Sequence, residues 1–302
     1  MRAVQFSEYG GPDVLHVADV EEPHAGAGQV RVAVKAAAVN PFDWKLRSGA
    51  MQQVMPVDFP SIPGIDVAGV VDEVGDGVTD VAVGDEVFGF AVGSGSAEHA
   101  VLEHYATKPA DLWWAEAAGL PVAVETAARA LDLLGLESGQ TILVNGAAGG
   151  VGTAAVQFAR ARGARVIGTA SESNHEFLRT IGAEPTTYGN GLVERVRELA
   201  PDGVDLALDT SGRGALPELI EITGSPDRVV TIADYSAAEH GVRITTGAEE
   251  RSWEALGQAA KLHEAGQLTM PVAQTFPFEQ APEAHRLSEG GHVRGKLVLI
   301  PD

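Results

Sequence analysis

Gln29-Val30-Arg31-Val32-Ala33-Val34-Lys35-Ala36 alternates apolar and polar positions with a period of two, the pattern of a strand with one face buried. Ala3-Val4-Gln5-Phe6 and Val67-Ala68-Gly69-Val70-Val71-Asp72-Glu73-Val74 predict further strands, and Gly75-Asp76-Gly77 and Val83-Gly84-Asp85-Glu86 predict the turns that break the run. Short strands at this spacing predict a partly open β-barrel over residues 1–118. From Leu120 the rhythm changes. Residues 122–131 predict a helix, and the apolar runs at 141–145, 165–169, 204–209 and 228–233 predict strands buried on both faces, as in a doubly wound parallel sheet. Ser173 and Glu176 form a candidate capping box for a helix ending near Gly182. Beyond Met270-Pro271, Lys296-Leu297-Val298-Leu299-Ile300 predicts a last strand.

Between the first two apolar runs of the second half stands Gly146-Ala147-Ala148-Gly149-Gly150-Val151-Gly152, followed by the helix-like Thr153–Arg160. Strand, glycine turn, helix and strand make a βαβ unit in which a helix N-terminus can receive a dinucleotide pyrophosphate. On that fingerprint Ala147 takes the first glycine position, with Gly146 available for the tight turn, while Gly149 lets the backbone approach the ligand and Gly152 permits close packing. A glycine-rich turn that binds nothing is the alternative.

Composition adds bounds. A chain of 302 residues suits two domains, and 45% hydrophobic residues suffice for two cores. Forty-two acidic against 21 basic residues give a formal charge of −21, which repels nucleic acid and anionic membranes, so an anionic cofactor would need a local positive patch. There is no uninterrupted apolar run of about 18 residues. A soluble, cytoplasmic protein is expected; the absence of cysteine is consistent with a reducing compartment.

Gly10-Gly11-Pro12, Asn40-Pro41-Phe42-Asp43-Trp44-Lys45-Leu46-Arg47-Ser48-Gly49, Pro63-Gly64-Ile65-Asp66-Val67-Ala68-Gly69, the Ala-Ala-Gly-Gly-Val-Gly run and Arg294-Gly295-Lys296 occur in this order. Together they resemble the medium-chain dehydrogenase/reductase superfamily, in its zinc-free quinone oxidoreductase, or zeta-crystallin-like, branch. The resemblance implies an α/β protein with a GroES-like partly open β-barrel domain (1–118 plus 275–302) and a Rossmann doubly wound parallel-sheet domain (119–274). It also implies a homodimer, for which Val242-Arg243-Ile244-Thr245-Thr246 is a candidate edge strand. Alcohol dehydrogenase relatives hold zinc with cysteine and histidine, and this chain has no cysteine, so no metal is expected; His99 and His104, five apart, suit exposed or hydrogen-bonded roles.

Without a Lewis acid, hydride delivery to a quinone or an activated alkene is the chemistry expected, because both acceptors delocalise incoming charge onto an oxygen. The expected activity is an NADPH:quinone reductase. An enal or enone reductase, or a non-catalytic NADPH-binding redox sensor, are the alternatives. The resemblance places Asn40 and Thr126 beside nicotinamide and substrate. Asn40 before Pro41 would also suit a turn, and Trp44 and Phe90 would suit either an acceptor pocket or core packing. Cofactor contacts are expected from Gly146, Ala148, Gly149, Gly150, Val151, Gly152, Ile232 and Ala233. About 20 residues past the glycines, where an NAD site would carry a carboxylate, stand Ala170-Ser171. Ser171, Asn174 and Tyr188 are the donors the family would aim at a 2′-phosphate, with helix capping as the other role for the first two. Two departures from the family stand out: Asn174-His175, with Glu172 nearby, replaces a frequent lysine, and Ala50-Met51 a frequent tyrosine. Arg294 and Lys296 would neutralise cofactor phosphate or form surface ion pairs.

Overall fold

The alternating run near residue 30 forms the spine of a six-stranded sheet. The structure, a computed structural model, describes residues 1–248 and 251–301. From the N-terminus the elements are β1 (Arg2–Gln5), β2 (His16–Asp19), β3 (Val30–Val39), α1 (Pro41–Arg47), β4 (Asp66–Val74), β5 (Glu86–Ala91), β6 (His99–Thr107), α2 (Trp114–Ala118) and α3 (Pro121–Leu134). Next come β7 (Thr141–Asn145), α4 (Gly150–Ala161), β8 (Arg165–Thr169), α5 (His175–Thr180), β9 (Glu184–Thr186), α6 (Leu192–Leu199), β10 (Leu206–Asp209), α7 (Leu216–Thr223), β11 (Val229–Thr231) and β12 (Arg243–Ile244). The chain ends with α8 (Ala255–Glu264), β13 (Val272–Pro277), α9 (Ala281–Gly290) and β14 (Lys296–Ile300).

Two units divide the chain: Met1–Val122 with Leu256–Glu264 and Met270–Asp302, and Ala123–Ala255 with Ala265–Thr269. In the first, the strand order is β13-β14-β3-β4-β5-β6, and β3 pairs with β6 as well, Val30 opposite Leu102. That extra pairing closes β3 to β6 on themselves, while β14 continues the sheet beyond the closure. Strand β3 serves three partners because its register shifts at Arg31/Val32 and at Val34/Ala36, bending it from one neighbour to the next. Inward side chains Val32, Val67, Val71, Val87, Leu102, Phe276, Leu297 and Leu299 form the core. Each such burial is worth about 1.5–3 kcal/mol.

In the second unit all pairings are parallel and the order is β12-β11-β10-β7-β8-β9, the dinucleotide-binding order, which reverses between β7 and β10. Leu143, Ile167, Ala207 and Val229 are fully buried between the flanking helices, which explains why these strands read as unbroken apolar runs. The edge segment expected over Val242–Thr246 contracts to β12, which does lie at the sheet edge. The capping box expected of Ser173 and Glu176 does not form: Ser173 lies within a 3₁₀ turn, Asn174 precedes α5, and Glu176 pairs with Arg179 at 3.2 Å. The 3₁₀ turn moves the helix start past Ser173.

Helix α1 is tied to α9 by a buried cation. Arg47 donates to the Gly10 carbonyl (3.2 Å) and to His285 Nδ1 (3.4 Å), and pairs with Glu289. Burial, reinforced by Arg47, pushes His285 down to about 3. His285 is therefore neutral in the fold, whereas the unfolded chain protonates it below about 6.5. Between those values the unfolded state binds the extra proton, so stability is lost as pH falls. His285→Gln is expected to remove about 2 kcal/mol of the stability difference between pH 7 and pH 5, read as a smaller drop in Tm by differential scanning fluorimetry.

Candidate active site

Four elements of the first unit converge on one carboxylate. Asp66, at the start of β4, is fully buried. Its Oδ1 accepts from the Val122 N–H at the start of α3 (2.9 Å), and its Oδ2 accepts from Asn40 Nδ2 (3.0 Å) and Lys296 Nζ (3.1 Å). Lys296, the first residue of β14, also donates to Asn40 Oδ1 at 2.6 Å. Burial pushes the Asp66 carboxyl upward, against the pull of Lys296, the Asn40 amide and the Val122 N–H. Asn40 occupies the N-cap position of α1, yet its side chain is committed to Asp66 and Lys296. The helix start is held by Asp43, whose carboxylate accepts the Asn40 N–H at 2.7 Å in a capping box. Burial pushes Asp43 up to about 7, and the Asn40 N–H opposes the rise.

Trp44 is half-buried and lines an open recess of about 440 Å³ with Gly10, Gly11, Arg47, Ser48 and Glu289. Its Nε1 is buried with no hydrogen-bond partner among the described residues. Phe90 is buried in β5. Lys296 is 5% exposed and its ion pair is interior, which replaces the surface pair considered from sequence; Arg294 is exposed.

In the second unit the glycine turn joins β7 to α4. Gly146 has φ +82°, and a Cβ at Gly152 would collide with the Gly146 carbonyl oxygen and stand 2.7 Å from the Ala147 Cα. Gly149 is the N-cap of α4 and has open space around its missing Cβ, apart from the Gly146 oxygen at 3.5 Å. The first N–H groups of α4, from Gly150, Val151 and Gly152, therefore face a cradle lined by backbone, suited to a pyrophosphate. The turn is held by side chains at the strand ends. Gly146 N–H donates to Thr169 Oγ1 (3.1 Å), and Thr210 Oγ1 donates to the Asn145 carbonyl (2.7 Å). Thr169 Oγ1 donates to Asn145 Oδ1 (2.6 Å), while Asn145 Nδ2 and Thr231 Oγ1 donate to the buried Asp209, each at 2.8 Å. These residues lie at the C-terminal ends of β7, β8, β10 and β11, where the strand order reverses.

Ala148 is buried, Ile232 and Ala233 follow β11 half-buried, and Thr126 is buried in α3. Ser171 and Asn174 bond to one another at 3.1 Å and cap neither the 3₁₀ turn nor α5, while Tyr188 is 53% exposed. His99 Nδ1 lies 2.9 Å from Asp72, and no three His, Cys, Asp or Glu side chains cluster as metal ligands among the described residues.

Sequence reasoning missed Asp43, Asp209, Asn145, Thr169, Thr210 and Thr231 as site residues, and quoted Asp66 only within a motif. A signal existed for two of them, since Asp66 and Asp209 are carboxylates directly adjoining apolar strand residues.

Residues 26–129 match the alcohol dehydrogenase GroES-like domain, and residues 181–299 match the zinc-binding dehydrogenase domain. The quinone oxidoreductase of Rattus norvegicus is 32% identical over 99% of this chain and 98% of its own length. The chain belongs to the quinone oxidoreductase family of the medium-chain dehydrogenases/reductases. Within the superfamily, the NADPH-dependent alkenal/one oxidoreductase of Arabidopsis thaliana is 33% identical over 100% of this chain and 80% of its own length. The structure of the quinone oxidoreductase from Coxiella burnetii superposes with a TM-score of 0.83, at 30% identity over 99% of both chains. The protein is thus a pyridine-nucleotide-dependent oxidoreductase, with a GroES-like domain and a Rossmann-type domain. No helix among the described residues is long and apolar enough to cross a membrane.

Replacing Gly152 by Ala puts a methyl group against the turn that carries Gly146. The Gly152→Ala variant is expected to bind nicotinamide dinucleotide at least about tenfold more weakly, a loss of about 1.4 kcal/mol by isothermal titration calorimetry.

Proposed function

We propose that the protein is an NADPH-dependent quinone reductase that works without zinc. The observation that carries this reading is the buried Asn40 amide, whose Nδ2 is a hydrogen-bond donor set in a dry, charged cluster. Reduction of a quinone places negative charge on an oxygen, and a fixed donor in a site shielded from water stabilises that charge more than water does. The chain has no cysteine for the ligand sets of its zinc-dependent relatives. Full-length similarity to quinone oxidoreductases supports the same reading.

The cofactor would be held by the N–H groups of Gly150, Val151 and Gly152 and by the open backbone at Gly149, with Ala148, Ile232 and Ala233 alongside. Bound there, NADPH supplies a hydride. Ala170-Ser171 at the end of β8 offers no carboxylate to repel a 2′-phosphate, and Ser171, Asn174 and the exposed Tyr188 are the donors we assign to it. Thr126 would contact the nicotinamide carboxamide or ribose, Trp44 the acceptor, and Arg294 the cofactor phosphates. We place the protein in the cytoplasm as a homodimer paired through the β12 edge.

Reduction of an enal or enone is the second reading, favoured by the 33% identity to an alkenal/one oxidoreductase, and one oxyanion donor serves either acceptor. Oxidation of NADPH at 340 nm is expected with 1,4-benzoquinone or 9,10-phenanthrenequinone and to be insensitive to a chelator. Turnover on an α,β-unsaturated ketone alone would assign the protein to alkene reduction, and NADPH binding with no turnover on any acceptor would assign it to redox sensing. Asn40→Ala is expected to lower kcat by about 2–4 kcal/mol in barrier while leaving the Kd for NADPH near wild type. Tighter binding of NADH than of NADPH in the same titrations would overturn the cofactor assignment.

A further inference from the structure

An asparagine amide is nearly symmetric in shape, so it directs a hydrogen bond only if its surroundings decide which end is oxygen and which is nitrogen. At Asn40 they do. Lys296 Nζ carries only donors and lies 2.6 Å from Oδ1, while Asp66 Oδ2, which also accepts from Lys296, lies 3.0 Å from Nδ2. Rotating the amide by half a turn would set Nδ2 against an ammonium and Oδ1 against a carboxylate oxygen, losing both charge-assisted bonds and creating two repulsions in a buried site. Asp66 cannot turn away, because its Oδ1 accepts the Val122 N–H at 2.9 Å. Of the two hydrogens on Nδ2, Asp66 takes one.

We infer that Lys296 and Asp66 are positioning residues that lock the Asn40 amide in one orientation, leaving its second Nδ2 hydrogen to donate to the oxygen of the acceptor. The inference builds on the quinone-reductase reading and assigns Lys296 to the donor's alignment rather than to cofactor phosphate. Removing either partner frees the amide to rotate, so the loss falls on kcat, not on cofactor affinity.

The test compares Lys296→Met, Asp66→Asn and the charge-neutral double variant with Asn40→Ala. Each single variant is expected to lower kcat about 10- to 100-fold, with the Kd for NADPH within about threefold of wild type. Adding Asn40→Ala to Lys296→Met should lower kcat no further than Asn40→Ala alone, because the two act through one hydrogen bond. A tenfold weaker Kd for NADPH with unchanged kcat in Lys296→Met would overturn the inference and make Lys296 a phosphate contact. If a single variant does not fold, the double variant, which leaves no unpaired buried charge, carries the comparison. A folded double variant with wild-type kcat overturns the inference.

A second readout needs no turnover. The Asn40 side-chain amide, assigned in ¹⁵N spectra by its loss in Asn40→Ala, should show one proton protected from solvent exchange and shifted by Asp66→Asn. Rapid solvent exchange of both protons in the folded wild type overturns the locking whatever the activity. A protected proton with no acceptor-dependent NADPH oxidation would uphold the locking and overturn only the quinone-reductase reading.

Discussion

A carboxylate taken out of water must be met by donors or give up its charge, and the first unit is arranged around Asp66 meeting three. Val122, Asn40 and Lys296 reach it from the start of α3, the N-cap of α1 and the start of β14. These residues are distant in sequence, so the bonds can form only when the strands and helices that carry them are in register. The cluster therefore links completion of the barrel sheet, through β14 on β3, to the orientation of one amide. The lysine neutralises one carboxylate, and Asp43 close by, pushed up to about 7 by burial, shows the cost of adding a second.

The second unit solves a similar problem with hydroxyls. Asp209 sits fully buried at the end of β10 and accepts from Asn145 and Thr231, while Thr169 and Thr210 hold the Asn145–Gly146 peptide at the start of the glycine turn. Parallel strands that are apolar along their length become polar where they end, and that edge is where the turn must keep Gly146 at φ +82° and the start of α4 open. Side chains from neighbouring strands hold the turn and so offset the backbone freedom that its glycines lose. One cluster fixes the Asn40 amide, and the other holds the backbone at the start of the glycine turn.

Much was legible in the sequence. The period of two around Val32, the apolar runs at Leu143, Ile167 and Leu208, and the final Lys296–Ile300 run predicted strands that the structure contains, because alternation and burial are local consequences of a pleated backbone. The glycine spacing located the turn between β7 and α4, since collision with the Gly146 carbonyl excludes a side chain at Gly152. Local signals failed where a neighbour intervened, as at Ser173, where a 3₁₀ turn displaced the predicted helix start.

What the sequence determined by itself was the kind of fold and the place of the glycine turn between β7 and α4, both of which follow from patterns within a few residues of each other. The tertiary structure alone decided that Lys296, which the sequence left as a phosphate contact or a surface ion pair, is buried 2.6 Å from Asn40 across 256 positions of sequence. The physical reason is that charge pairing in a dry interior depends on distance in space, and no periodicity along the chain records which donor will reach which carboxylate.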